Sequence, residues 1–231
     1  MIQCAQMTNQ NPMYSHGFNI AKLLCDFVKF AEARAQYPVK LLMRDAEPIS
    51  YTAKKLTKLG LAKTEKWQDV ILDRAMMTYA FKPKYSFEHE NSENIKLYLE
   101  QNGIMQNHTQ IDTGYLGSIP KAIYNFNPNI KVQSIYIYGN NNVARNKEPH
   151  FHGSSKVFIR SNTTAPCLVL ERAPKLYDID LNNFVKRNDT VVFAPNFCCE
   201  NFKNHKAYYA GLDDGIENWK DNLITSCHVR Q

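Results

Sequence analysis

Apolar residues recur three or four positions apart from Phe18 through Ala21, Leu24, Cys25 and Val28 to Ala31, with polar residues between them. That spacing predicts an amphipathic helix over about residues 16–36, after an irregular polar start over 1–15. Pro38 ends the helix, because proline disfavours helical geometry in the residue before it. Val39-Lys40-Leu41-Leu42-Met43 is then a short apolar run of buried-strand type, closed by Arg44-Asp45-Ala46-Glu47-Pro48, and a helix resumes over 49–59. The alternation repeats. A strand is expected over 67–72, with Arg74 at its end and a helix entered through Ala75 and Met76, and a helix is expected over 93–101, stopped by Gly103.

Val132, Ser134, Tyr136 and Tyr138 alternate with Gln133, Ile135 and Ile137, giving a strand apolar on both sides, as the centre of a parallel sheet requires. A glycine-flanked polar loop follows over 140–153. A strand over 156–160, a helix near 166–177, a strand over 190–194 and a last helix near 204–223 complete the chain. Strands alternating with helices predict an α/β architecture, a single Rossmann-like domain whose central, mainly parallel sheet is flanked by helices with right-handed crossovers. The length of 231 residues fits one such core, with no internal repeat or linker.

The most specific local pattern is Ile111-Asp112-Thr113-Gly114-Tyr115-Leu116-Gly117-Ser118, which reads as a strand ending in an acid and turning through two glycines into a helix with Pro120 in its first turn. Ser118 is the expected N-cap. Backbone amides of Thr113, Gly114, Gly117 and Ser118 would cradle a phosphate, since a helix start carries about half a positive charge. Such a sheet binds ligands outside the carboxyl ends of its strands, which sends Asp45 and Asp112 to one edge with Arg44 and Arg74. The two carboxylates would share a Mg²⁺ together with phosphate oxygens, and the arginines would neutralise developing charge.

Composition narrows the partners. The formal charge of +6 is spread along the chain and lacks the clustered stripe with interleaved aromatics that marks a nucleic-acid surface, so a phosphorylated small molecule is the expected partner rather than nucleic acid. No run approaches the ~18 apolar residues of a membrane span, and the N-terminus is not of signal-peptide type. Six cysteines without a C-x-x-C pair read as reduced thiols. A cytoplasmic location follows as an expectation, in the producing cell or in a host; the oligomeric state is left open. His152, within His150-Phe151-His152-Gly153, is a candidate acid or base at neutral pH, as is Glu47. His205 has no expected neighbours, and Glu171 and Lys175 read as solvated charges, with a place facing the cleft as the alternative for either.

The order of these loops resembles the type I phosphoribosyltransferase fold. The resemblance implies that Arg44-Asp45-Ala46-Glu47-Pro48 holds pyrophosphate and that the segment from Ile111 to Ser118 grips a ribose 5-phosphate, although that family carries two adjacent acids where this chain has Ile111-Asp112. Leu41-Leu42-Met43-Arg44-Asp45, Asp73-Arg74 and the same glycine segment also resemble poorly characterised proteins, some fused to haloacid-dehalogenase-like domains. The implied activity is a Mg²⁺-assisted transfer on a phosphorylated sugar or nucleotide. Asp45 and Glu47 have, in addition, the two-residue spacing of the nucleophile and proton-handling acid in haloacid-dehalogenase phosphatases, which implies a phosphohydrolase as the alternative. A third possibility is a module that binds a nucleotide or a partner without chemistry.

Overall fold

A computed structural model describes residues 11–43, 45–72, 76–77, 91–115, 117–140, 143, 145, 149–151, 155–160, 173–176, 179–197 and 201–228, with the backbone alone for 114, 115, 151 and 224–228. Five strands form one sheet: β1 (Val39–Leu42), β2 (Gln68–Val70), β3 (His108–Tyr115), β4 (Val132–Gly139) and β5 (Lys156–Arg160). Their order is β2-β1-β3-β4-β5, and every pairing is parallel. Helices α1 (Pro12–Glu32), α2 (Glu47–Lys58), α3 (Ser92–Gln101), α4 (Ser118–Phe126) and α5 (Phe202–His228) flank it. The chain leaves β1 for β2 on one side, then crosses back to β3 on the other. The gap between β1 and β3 is therefore the topological switch point.

Alternation along the strands distributes the core. Leu41, Ile111, Ile135 and Ile137 point to the face packed by α1, α2 and α5, where they meet Leu24, Phe27, Val28, Ile49, Leu56 and Leu212. Leu42 and Val132 point to the other face, against Ile95 and Leu99 of α3 and Ile123 of α4. Both faces are covered, so β4 is buried along its whole length, as a doubly covered parallel strand must be.

The long predicted helices are present with shifted ends. α1 starts earlier than expected because Asn11 caps it, its side chain accepting from the amide of Met13, with Pro12 in the first turn. Residues 190–194 do not join the parallel sheet. Thr190–Phe193 (β7) pairs antiparallel with Phe184–Arg187 (β6), a strand the periodicity missed, around Asn188 at φ 55°. This hairpin covers α3: Phe184 meets Tyr98 edge-on at 4.9 Å, and the Gln101 side chain bonds the Asp189 carbonyl and the Val191 amide. Of the helix expected near 166–177, residues 173–176 are not helical and the others, apart from these, lie outside the described residues. No helix among the described residues is long and apolar enough to cross a membrane.

Among the described elements, α1 and α5 pack against each other most extensively. They run parallel, with the Asn11 side chain bonded to Asn204 near one end and Trp219 Nε1 donating to Asp26 farther along. At the crossing, backbones touch: a Cβ on Gly17 would lie 2.0 Å from the Tyr208 carbonyl oxygen, and one on Gly211 would lie 2.0 Å from that of Tyr14. Gly215 is slightly less tight: a Cβ there would lie 2.5 Å from Ala21 Cβ and 2.7 Å from the Phe18 carbonyl oxygen. Only glycine fits at these three positions.

At the start of β3, His108 is completely buried. Its Nδ1 donates to the Gln106 carbonyl at 2.8 Å, which leaves Nε2 as a buried acceptor without a hydrogen-bond partner. Burial, with the nearby Lys40 charge adding to it against the Gln106 hydrogen bond, pushes the pKa down to about 4.

Gly17→Ala and Gly211→Ala should each destabilise by about 1–3 kcal/mol or more through overpacking. Gly60→Asn should cost little, because Gly60 sits at φ +70° with nothing within 4 Å of a Cβ and asparagine tolerates that conformation. Urea unfolding of the three variants checks this. A second expectation concerns pH. The unfolded chain binds a proton at His108 below about 6.5 and the folded chain does not until about pH 4, so this residue's contribution is fully present above 6.5 and is lost as pH falls toward 4. The loss should reach about 3 kcal/mol between pH 7.5 and pH 4, and His108→Gln should flatten that limb of the stability curve.

Candidate functional site

Two helices begin at the carboxyl ends of the strands that flank the switch point. α2 follows β1 with Ala46 as N-cap, and α4 follows β3 with Gly117 as N-cap; neither has a side-chain cap. Gly117 takes the left-handed conformation, φ 69° and ψ 35°, which turns the chain from β3 into α4 within two residues and which an L side chain adopts only under strain. The turn expected over 112–118 is thus real but shorter than the pattern implied. Asp112 does not end its strand: Thr113, Gly114 and Tyr115 continue it, with Gly114 opposite Tyr138 and Tyr115 opposite Gly139. Gly114 is extended, so only Gly117 supplies a positive φ here. Ser118 is the first helical residue and not the cap. The reason is cooperative, because β4 offers β3 a partner for its full length and pairing continues as far as that partner lasts.

This register also sets what the acids meet. Asp112 lies on the α3 and α4 face, opposite Tyr136, and its Oδ1 accepts from the amide of Thr113 at 2.7 Å. Tyr136 is buried, and its phenol takes part in a hydrogen bond with the Gln110 side chain. Burial, with the Asp112 charge adding to it, holds this phenol protonated well above the ordinary range. Asp45 has different surroundings. It sits just beyond β1, mostly buried, and Lys175 Nζ donates to its Oδ1 at 2.7 Å. Lys175 is held in turn through its carbonyl, which accepts from Asn201 at the entrance to α5. Lys175, expected to be a solvated charge, is the ion-pair partner of Asp45.

Glu47 opens α2, and its Oε1 faces His205 Nε2 at 3.1 Å. His205 stands one turn into α5, and its ring packs against Tyr209 at 4.5 Å. Tyr209 also meets Tyr51 of α2 at 4.6 Å, and Tyr51 donates to Asp213. Burial, reinforced by the Glu47 charge, holds the phenols of Tyr208 and Tyr209 protonated. Asp45–Lys175 and Glu47–His205 therefore form two acid–base pairs side by side at the start of α2. Sequence reasoning missed both basic partners, which stand 130 and 158 residues along the chain from their acids. The one available signal was the amphipathic last helix, which had to pack somewhere on the sheet.

Arg44, Arg74 and His152 lie outside the described residues, as do Glu171 and the Cys198-Cys199 pair. Cys25 is a free, buried thiol whose pKa burial pushes up to about 12, so it behaves as a small core residue. Among the described residues no three of His, Cys, Asp and Glu converge on a common metal position. Asp45 and Asp112 have different surroundings, one against Lys175 and one opposite Tyr136. No protein-family model, characterised protein or solved structure matches the chain.

A double-mutant cycle with Asp45→Asn and Lys175→Met should give a coupling of about 1 kcal/mol, against a few tenths for the exposed Lys22–Asp26 pair on α1. Equal couplings in urea unfolding would mean that the Asp45–Lys175 pair is no better ordered than a surface pair.

Proposed function

We propose that the crevice between β1 and β3 binds a phosphorylated sugar or nucleotide together with Mg²⁺, and that the protein is a transferase acting on that ligand. The observation that carries this reading is the start of two helices without side-chain caps, α2 and α4, at the carboxyl ends of the strands flanking the switch point. Switch points of parallel sheets are where such folds bind nucleotides, and helix N-termini favour phosphate. Gly117 and Ser118 would supply amides, while Thr113 and Gly114, expected to do the same, are held in β3, the Thr113 amide by Asp112; Arg44 and Arg74 are the proposed counter-charges.

The same edge carries carboxylates, and this argues for a cation. Asp45 and Glu47 beside a phosphate would repel it unless positive charge intervenes, and of their two partners Lys175 is a cation whereas His205 is charged only when protonated. Mg²⁺ keeps several waters and takes one or two carboxylates plus phosphate oxygens, so it needs no preformed cage. It would enter with the ligand and use Asp45 or Asp112. In the transfer, the protein's part is to orient the phosphate and stabilise charge on the departing group.

The two acid–base pairs favour a second reading, a phosphohydrolase. A carboxylate oxygen of Asp45, oriented by Lys175, would form a bond to phosphorus while the bond to the leaving oxygen breaks. The leaving oxygen would take a proton from the Glu47–His205 pair, and water would then cleave the aspartyl phosphate, regenerating the carboxylate and releasing inorganic phosphate.

A thermal-shift panel of phosphoribosyl pyrophosphate, nucleotides, nucleotide sugars and sugar phosphates, with and without Mg²⁺, tests the shared premise. A ligand at ~100 times its Kd should add about 2.7 kcal/mol of stability. The stabilisation should need Mg²⁺ and weaken in Asp45→Asn. Phosphate release without an acceptor would select the hydrolase; binding without turnover would leave a recognition module. A panel without any response would remove the phosphate site.

A further inference from the structure

The two most exposed large hydrophobic side chains among the described residues are Phe197, 68% exposed, and Phe202, 59% exposed. Scattered exposed hydrophobics need no explanation, but these two lie within one short segment, and that segment is tied to the crevice. Asn201, between them, bonds the Lys175 carbonyl at 3.1 Å, and Lys175 holds Asp45 at 2.7 Å. Phe202 opens α5, and three residues later the same helix face carries His205 to Glu47 at 3.1 Å. Three helical residues rise only about 4.5 Å, so the Phe202 ring sits one turn from an acid that opens α2.

Along this face the aromatic planes step outward from core to rim. Tyr51 meets Tyr209 at 4.6 Å and Tyr209 meets His205 at 4.5 Å. Tyr209 is 8% exposed, whereas Phe202, a further turn out, is mostly in solvent. A row of rings that ends in an open one beside a phosphate-binding edge matches a molecule with a phosphate at one end and a flat, weakly polar ring at the other. A sugar phosphate has no such ring.

We propose that the ligand of this crevice is a nucleotide, whose base stacks on Phe202 while its phosphate lies at the helix N-termini; the proposal rests on the phosphate-binding reading given above. Stacking on a single aromatic ring tolerates all four bases, because each has a π-face, so Phe202 selects nucleotides as a class over sugar phosphates without choosing among them. Asn201, next to Phe202 in the chain, bonds the Lys175 carbonyl and so ties the start of this helix to the Asp45–Lys175 pair.

Calorimetric titration of AMP, GMP, CMP and UMP, each against ribose 5-phosphate in Mg²⁺ buffer, tests this on the wild type, Phe202→Ala and Phe202→Trp. Nucleotides should bind about tenfold more tightly than ribose 5-phosphate, the scale of one base–aromatic stack. Phe202→Ala should bring them down to the affinity of ribose 5-phosphate and leave that affinity unchanged, while Phe202→Trp should keep the preference. The side chain is exposed, so the fold should survive both changes, which circular dichroism verifies. Equal binding of nucleotides and ribose 5-phosphate, insensitive to Phe202→Ala, overturns the stacking and leaves the phosphate site standing. Binding of none of them overturns both.

Discussion

Everything at the candidate site depends on how closely α1 and α5 approach. Gly17, Gly211 and Gly215 let the two backbones meet where any Cβ would overlap a carbonyl oxygen or another side chain. The contact joins the two ends of the chain and seals one face of the sheet. It also fixes the height of α5, and hence where Asn201, Phe202 and His205 sit relative to β1 and α2. A helix displaced by one side chain's thickness would separate His205 from Glu47 and release the segment that holds Lys175. The site is assembled by packing between elements far apart in sequence, so its geometry is as rigid as that contact and no more local than it.

The second constraint is electrostatic. Helices that start at the carboxyl edge of a parallel sheet direct their positive ends toward the switch point, and this sequence places acids there as well. Each acid has acquired a basic partner from the C-terminal half of the chain, Lys175 for Asp45 and His205 for Glu47. The result is an edge in which each acid is oriented by a partner rather than left in solvent. Farther along β3, Asp112 lies opposite the buried Tyr136 and accepts from the Thr113 amide.

The fold was legible in the chain because its signals are local and repeated. The three- to four-residue spacing in 12–32, the apolar run from Val39, and the two-sided apolar strand from Val132 each declare one element, and alternation of strand and helix declares the sheet. Errors fell where pairing overrides propensity. Gly114 reads as a turn residue and is a strand residue, because β4 extends far enough to hold it, and 190–194 reads as one more parallel strand but folds on β6. Of the two glycines expected to turn the chain, Gly117 is the one that takes a positive φ.

By itself the sequence determined the class of fold, since periodicity and chain order are properties of neighbouring residues. Only the tertiary structure decided the strand order that opens the gap between β1 and β3 and the pairing of Asp45 with Lys175 and of Glu47 with His205. It also decided that Phe202 is left exposed one turn before His205. Those facts join residues more than a hundred positions apart, and no local preference encodes a meeting at that range. They arise when buried faces are matched across the sheet and two helices close on three glycines.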